Sequence, residues 1–200
     1  MPISHVLIDI PTPIRTPRLL IRSKQVGDGE LASTAISETW EDLHRWMRWA
    51  ERPGALTAEI LEVRNRQAMA SFILRESIEL IGLETATNTA VVWCGFHDID
   101  WQAMQCDTGF WVRKSAQGRG FATEAANAMV RYAFGCLGMK RVGLTHSEGN
   151  DASARIAAKL GFLAEGVQRK ANVLPAGRRA DRCGYARLDV NNLPALQVEW

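Results

Sequence analysis

Lys114, Ser115, Ala116, Gln117, Gly118, Arg119, Gly120, Phe121 and Ala122 form a glycine-containing turn that runs directly into an alanine-rich segment. Placed before a helix, such a turn has a chemical use. The first N–H groups of a helix lack intrahelical partners and lie at the positive end of its dipole, so a phosphate is stabilised there. Gly118 and Gly120 carry no side chain to hold a diphosphate away, and Arg119 and Arg113 could add charge-assisted contacts. An ordinary strand-to-helix turn would look the same locally, so both readings stay open at this level. Neither G-x-G-x-x-G nor G-x-x-x-x-G-K-S/T occurs, which disfavours a nicotinamide or ATP site.

Those residues need elements to hold them. From Ala122 the apolar positions fall at Ala125, Ala126, Met129, Val130, Ala133, Phe134 and Leu137, a helical series that Gly135 and Gly138 can stop. Residues 141–146 then alternate as a half-buried strand, and Asn150 suits the cap of a second helix whose inner stripe is Ile156, Ala157 and Leu160, closed by Gly161. Upstream, 19–22 reads as a strand, 28–50 as helical with turns, and 57–76 as a helix with Ile60, Val63, Ala70 and Leu74 among its apolar positions. Runs at 78–85, 91–99 and 107–112 predict an antiparallel meander, and two more strands are expected near 162–170 and 182–188. A strand after a helix implies a crossover, so the expected class is α/β (α+β mixed), a mixed sheet with helices packed on it.

With 200 residues and 46% hydrophobic content, one compact unit spanning 1–200 is expected. The net charge of +2 is too even to indicate a nucleic-acid or membrane-surface partner. Cys94, Cys106, Cys136 and Cys183 show no Cys-x-x-Cys spacing, which suggests reduced, packed thiols and neither a metal site nor a disulfide framework. The amino terminus lacks a signal-peptide pattern and no run approaches about 18 apolar residues, so a cytoplasmic protein is expected.

The motifs now add up to a resemblance. Gln117, Gly120 and Ala122 fit an Arg/Gln-x-x-Gly-x-Gly/Ala loop, followed by Thr123, Glu124 and Ala125; Asn150 and Ser153 fit N-x-x-S, and Gly161, Phe162, Glu165 and Gly166 fit LGF-x-x-EG. With TPRLLIR, LHRWMRW and GFHDID, these residues make the chain similar to the GNAT superfamily of N-acetyltransferases, specifically its Rim-type (RimJ/RimL-like) ribosomal-protein branch, over about residues 16–189. The resemblance implies a splayed mixed sheet of six to seven strands flanked by helices, with acetyl-CoA as cofactor. It implies pantetheine against the main chain of Phe110, Trp111 and Val112, and the diphosphate on Gln117, Gly118, Arg119, Gly120, Phe121, Ala122 and Thr123. Asn150 would touch the pantetheine arm and Ser153 would sit near the thioester sulfur; as local structure, Asn150 also reads as a cap and Ser153 as a first-turn residue.

Acetyl transfer to an amine needs a neutral nucleophile, a donor for the developing oxyanion and a proton for the departing thiolate. The N–H of Val112 or Trp111 is the expected oxyanion donor. The tyrosine that many GNAT enzymes use as acid is replaced by Ala157, while the branch's serine is matched by Ser153. The branch's glutamate base falls on Asn172, which cannot accept a proton, so Asp107 becomes the first substitute, followed by Asp98, His97 and Asp181. Trp40, Trp46 and Trp49 recur at helical spacing, with core packing expected for two of the three and groove lining for the other. The expected acceptor is the α-amino group of a protein or peptide. The alternatives are a small amine (amino acid, polyamine or antibiotic) or a non-catalytic acyl-CoA-binding role. Nucleic-acid and membrane partners are not expected, and a homodimer is left open.

Overall fold

The short helical period of residues 122–134 becomes a helix buried on almost every side, and the rest of the fold is arranged around it. In the computed structural model, which describes residues 4–52 and 54–200, α3 (Phe121–Gly135) buries Phe121, Ala125, Ala126, Ala128, Met129, Val130, Tyr132 and Ala133. The alanines let its backbone approach the sheet closely, while Phe121, Met129 and Tyr132 fill the remaining volume. The sheet has strands β1 (Ile14–Arg15), β2 (Leu19–Ser23), β3 (Ile78–Glu84), β4 (Thr89–Asp100), β5 (Gln105–Val112), β6 (Arg141–Ser147), β7 (Leu163–Val173) and β8 (Arg179–Arg187). Their spatial order is β1-β2-β3-β4-β5-β6-β8-β7. The sheet thus has eight strands where six to seven were expected. The additional one, β1, is two residues long and lies between Pro13 and Pro17, too short to leave a periodic signal.

The predicted meander β3-β4-β5 is antiparallel, and the crossover through α3 makes β5 and β6 parallel. One core lies on the α3 side, which α4 (Asp151–Lys159) joins through Ala157 and Leu160. A second lies on the opposite face beneath α1 (Asp28–Trp46) and α2 (Ala58–Leu74), where Ile36, Leu43, Leu61, Ile81 and Trp93 meet. The α2 helix forms where periodicity places it, capped by Thr57, whose Oγ1 accepts from the Ile60 N–H. Its inner face is the other one, however. Leu61, Asn65 and Ala68 are buried, while Ile60, Val63, Ala70 and Leu74 are exposed. Apolar residues occur on both sides of this helix, so their spacing defines a helix without selecting its buried face.

Glu124 ties the start of α3 to the amino-terminal strands. Its nearly buried carboxylate accepts from Thr16 Oγ1 at 2.7 Å, the Arg18 N–H at 3.0 Å and Arg18 Nε at 2.6 Å. Removing it leaves the part-buried donors of Thr16 and Arg18, on the β1–β2 connection, without their charged partner. Glu124→Ala is expected to destabilise the protein by about 2–3 kcal/mol, read as a fall of roughly 4–12 °C in Tm by calorimetry; an unchanged Tm would contradict the tie.

Candidate active site

Gly120 caps α3 with φ +87° and offers no side chain to the helix N-terminus; Gly118 also has positive φ, at +74°. Both conformations favour glycine. Among the described residues, the main-chain N–H groups of Gly118, Arg119, Gly120, Phe121, Ala122 and Thr123 have no hydrogen-bond partner. They form a row of donors at the positive end of a helix, and no atom occupies the space a Gly118 Cβ would face. A diphosphate fits this cradle.

The charged side chains around the cradle are mostly committed to carboxylates. Arg119 pairs with Glu84, Lys114 with Asp42 at 2.8 Å and Arg113 with Glu38 at 2.6 Å. The expectation that Arg113 adds charge to the phosphate site therefore fails, because its guanidinium faces α1. The residue that joins instead is Arg18, which donates to the Arg119 carbonyl at 2.9 Å and lies 4.7 Å over the Phe121 ring, with Arg119 4.8 Å from the same ring. Arg18 stands inside the TPRLLIR stretch, which gave the signal without assigning a role. Gln117 donates to Asp42 Oδ2 at 3.0 Å and to the Val112 carbonyl at 3.3 Å, bracing the loop against α1 and β5. Glu38 accepts from the Ser115 N–H at 2.5 Å, and the Ser115 hydroxyl first, then Arg113 and that N–H, hold its carboxyl down to about 2 against the opposing effect of burial.

Upstream of the cradle the sheet splits. β5 and β6 pair only at Gln105–Arg141, Cys106–Val142 and Asp107–Gly143. Beyond Asp107, β5 remains paired to β4 as far as Val112 while β6 departs. Arg113 N–H bonds to the Val91 carbonyl, so by the alternation of an antiparallel ladder Trp111 and Gly109 also turn their main chain toward β4. Thr108, Phe110 and Val112 turn theirs toward the split. The expected choice between Val112 and Trp111 as N–H donor is thereby narrowed to Val112, with Phe110 beside it.

On the α1–α2 face the same segment borders a cavity of about 600 Å³. Its floor includes Gly95 and Gly109, register partners across β4 and β5, and its walls include Trp49, Trp93, Trp111, Met47 and Leu61. Trp93 and Trp111 stack at 4.2 Å, and Trp49 leans on Trp111 at 6.4 Å. Trp40 packs on the second core and Trp46 is half-buried, so Trp49 is the tryptophan of the helical series that lines the groove. Asn65, only 2% exposed, borders this cavity, while its Nδ2 is itself buried and has no partner among the described residues.

Beside the cavity stands an acid–base cluster. His97 Nδ1 lies 3.0 Å from Asp98 Oδ2, and ionisable atoms of His97, Asp98 and Asp107 all fall within 4.8 Å of one another. Burial pushes the Asp107 carboxyl above the usual range, while His97 and Arg141 draw it back. Asn172, at the branch's glutamate position, is fully engaged: it donates to Ser147 Oγ at 2.8 Å and accepts from Arg182 Nε at 2.7 Å. Asp181 accepts the Lys170 N–H at 2.8 Å. Asn150 caps α4 by accepting the Ser153 N–H at 3.2 Å, and Ser153 is half-buried in the first turn with its hydroxyl unpartnered among the described residues.

A helix-mouth anion cradle beside a split between parallel strands, with an open cavity on the α1–α2 face, defines an acyltransferase that uses a coenzyme A thioester. The chain matches the acetyltransferase (GNAT) domain over residues 18–163 and belongs to that family. It is an acetyl-CoA-dependent N-acetyltransferase. It is 27% identical over 154 residues to a putative ribosomal N-acetyltransferase, YdaF, of Bacillus subtilis, covering 76% of this chain and 81% of the relative. The fold is shared with a ribosomal-protein-S5-alanine acetyltransferase from Vibrio fischeri, at a TM-score of 0.79 and 18% identity over 93% of this chain and all (100%) of that one. It is also shared with RimL, a ribosomal L7/L12 α-N-protein acetyltransferase in complex with coenzyme A, at a TM-score of 0.78 and 18% identity over 88% and 97%.

Two outcomes test the cradle. Gly120→Glu places an anion at the mouth of the cradle, beside Arg18, whose Nη2 is 3.3 Å from the position of a Cβ. Titration calorimetry with acetyl-CoA should then give no heat; wild-type affinity would contradict the assignment. The depressed Glu38 carboxyl stabilises the folded state fully above its ordinary value of 4.5, and this contribution is lost as pH falls toward about 2. The Tm difference between wild type and Glu38→Gln should therefore be full at pH 7 and close progressively below pH 4.5; a constant difference would show that the clamp is not ionic.

Proposed function

We propose that the chain transfers acetyl from acetyl-CoA to the α-amino group of a protein or peptide by direct attack in a ternary complex. The observation that carries this choice of acceptor is the open, mostly apolar cavity walled by Trp49, Trp93, Trp111, Met47 and Leu61. The amino-terminal side chain of a peptide can bury apolar surface there. A protonated polyamine, charged along its length, would lose the hydration of its ammonium groups without gaining partners from these walls. The ribosomal N-acetyltransferase name of the Bacillus subtilis relative agrees with this reading, and so does a cavity volume suited to more than a single small side chain.

In this reading the main chain of Phe110, Trp111 and Val112 accompanies the pantetheine arm, Gln117 to Thr123 receive the diphosphate, and Asn150 and Ser153 stand by the arm and the sulfur. The thioester supplies an activated acetyl carbonyl. Val112 N–H donates to the oxygen as it gains charge, Ser153 Oγ–H protonates the leaving sulfur, and the cluster containing Asp107 handles the amine proton.

Thiol release measured over a panel of short peptides, free amino acids, polyamines and aminoglycosides tests the acceptor. Peptides should be turned over with kcat/KM at least about tenfold above the best polyamine, the factor that corresponds to about 1.4 kcal/mol; a polyamine preference would overturn the reading. Ser153→Ala should lower kcat by about 10–100-fold, at the low end of general-acid effects, with acetyl-CoA affinity nearly unchanged. Equal kcat would remove Ser153 as the acid.

A further inference from the structure

The geometry points to His97 as the group that takes the proton from the acceptor amine, with Asp98 as its orienting partner and Gly109 as the position that gives the ring its place. This inference rests on the acetyl-transfer reading above and adds the identity of the base.

The first support is a departure from strand geometry. Consecutive side chains on a regular strand point to opposite faces and cannot touch. His97 and Asp98 do touch, at 3.0 Å, because Asp98 has φ +50° and the β4–β5 ladder breaks between the His97–Asp107 and Asp100–Gln105 pairs. A bulge of this kind re-aims side chains, and here it turns a carboxylate onto Nδ1 of the preceding histidine. With Nδ1–H donated to Asp98, the lone pair resides on Nε2. The second support is where Nε2 lies. A Cβ built on Gly109 would be 3.3 Å from Nε2 and 3.6 Å from Cδ2, so the ring lies over Gly109, next to Phe110 and the split. His97, Gly109 and Phe110 all border the cavity assigned to the acceptor. A basic nitrogen thus stands between the place where the amine enters and the strand edge where the acetyl group is held.

The competing carboxylates are less suitably held. Asp107 nests over Gly143, where any side chain would collide with it, and lies 3.8 Å from Arg141. The charged groups facing His97 are Asp98 from its own strand and Asp107 from β5, the latter within reach of Arg141 and Arg182. Glu79, paired with Lys24, and Arg64 stand at the cavity wall. The His97 side chain is half exposed, so a proton it accepts can pass to water.

The step balances as follows. His97 Nε2 removes one proton from the acceptor ammonium, and the freed nitrogen lone pair forms the N–C bond to the acetyl carbon. The C–S bond breaks with its electron pair going to sulfur. The nitrogen sheds a second proton, which the thiolate takes up by way of Ser153 or water. His97 returns its proton to solvent, so one proton is released per amide formed.

The test uses wild type, His97→Gln, Asp107→Asn and Gly109→Ala, with acetyl-CoA and a pool of tripeptides bearing free amino termini. For His97→Gln, kcat/KM at pH 7 should fall by about 100-fold or more, while calorimetric acetyl-CoA affinity and Tm stay at wild-type values. The acidic limb of the pH–kcat/KM profile should shift up toward the titration of the free amine, near pH 8. Gly109→Ala should shift the His97 ring resonances in NMR spectra of the protein without any ligand, and lower kcat/KM in parallel. A wild-type rate and acidic limb in His97→Gln would overturn the inference, and so would a limb abolished by Asp107→Asn and kept by His97→Gln. Absence of thiol release by wild type with every peptide would instead overturn the acceptor assignment beneath it.

Discussion

Main-chain N–H and C=O groups at a sheet interior must find partners, and in this protein one strand edge is left without them. β5 and β6 share three register pairs and then diverge, so the β6-facing edge of Phe110 and Val112 has no strand to bond. Every other element of the site is placed relative to that edge. α3 begins at the far end of β5 with its own unpartnered donors, β8 occupies the other side of β6 as far as Ser147, and α4 packs Ala157 and Leu160 into the core on the α3 face. A polar, extended molecule with a phosphate at one end satisfies both sets of donors at once, which a compact solute cannot do.

The electrostatics around the loop serve rigidity more than attraction. Arg113, Lys114 and Arg119 each have a carboxylate of α1 or β3 as partner, and Arg18 has Glu124. Exposed ion pairs contribute little each, but here they fasten the loop to α1 and β3, and the start of α3 to the β1–β2 connection. The main-chain donors are therefore held in position before any anion arrives, and binding does not have to order them. Arg18 and Arg119 remain about half exposed over Phe121, so some positive charge still faces the solution.

Much of this was legible locally. The loop from Gln117 to Thr123, the helix after it and the Asn150 cap are written in consecutive residues, because turn chemistry and helical period act over a few positions. What could not be read depends on register between distant segments. Gly109 makes room for His97 and Gly143 for Asp107, pairs defined by which residue faces which across the sheet. The Arg18–Glu124 pair spans 106 residues, and Arg113 reads as a possible phosphate contact because its partner Glu38 lies 75 residues away on α1. The buried face of α2 was hidden for a different reason: Ile60 and Val63 are as apolar as Leu61 and Ala68, so only the packed sheet distinguishes the two sides.

The arrangement also bears on whether acetyl passes first to the enzyme. A covalent route needs a nucleophile at the strand edge, and the sulfur nearest the cavity belongs to Cys94. Burial pushes its thiol up to about 12, and that of Cys106 to about 12, so neither provides thiolate near neutral pH. Cys94 contacts the core on the α3 side, directed away from the groove floor made by Gly95 and Gly109. Along β5, alternate residues turn to opposite faces: Gly109 and Trp111 meet the cavity, while Phe110 and Val112 pack against the α3-side core, Phe110 also bordering the cavity, and both present their main chain to the split. Gly109, with no side chain, leaves only main chain between the cavity and the split edge of β5. An amine held in the cavity would then approach that edge with no acyl-enzyme relay, which is what direct transfer requires.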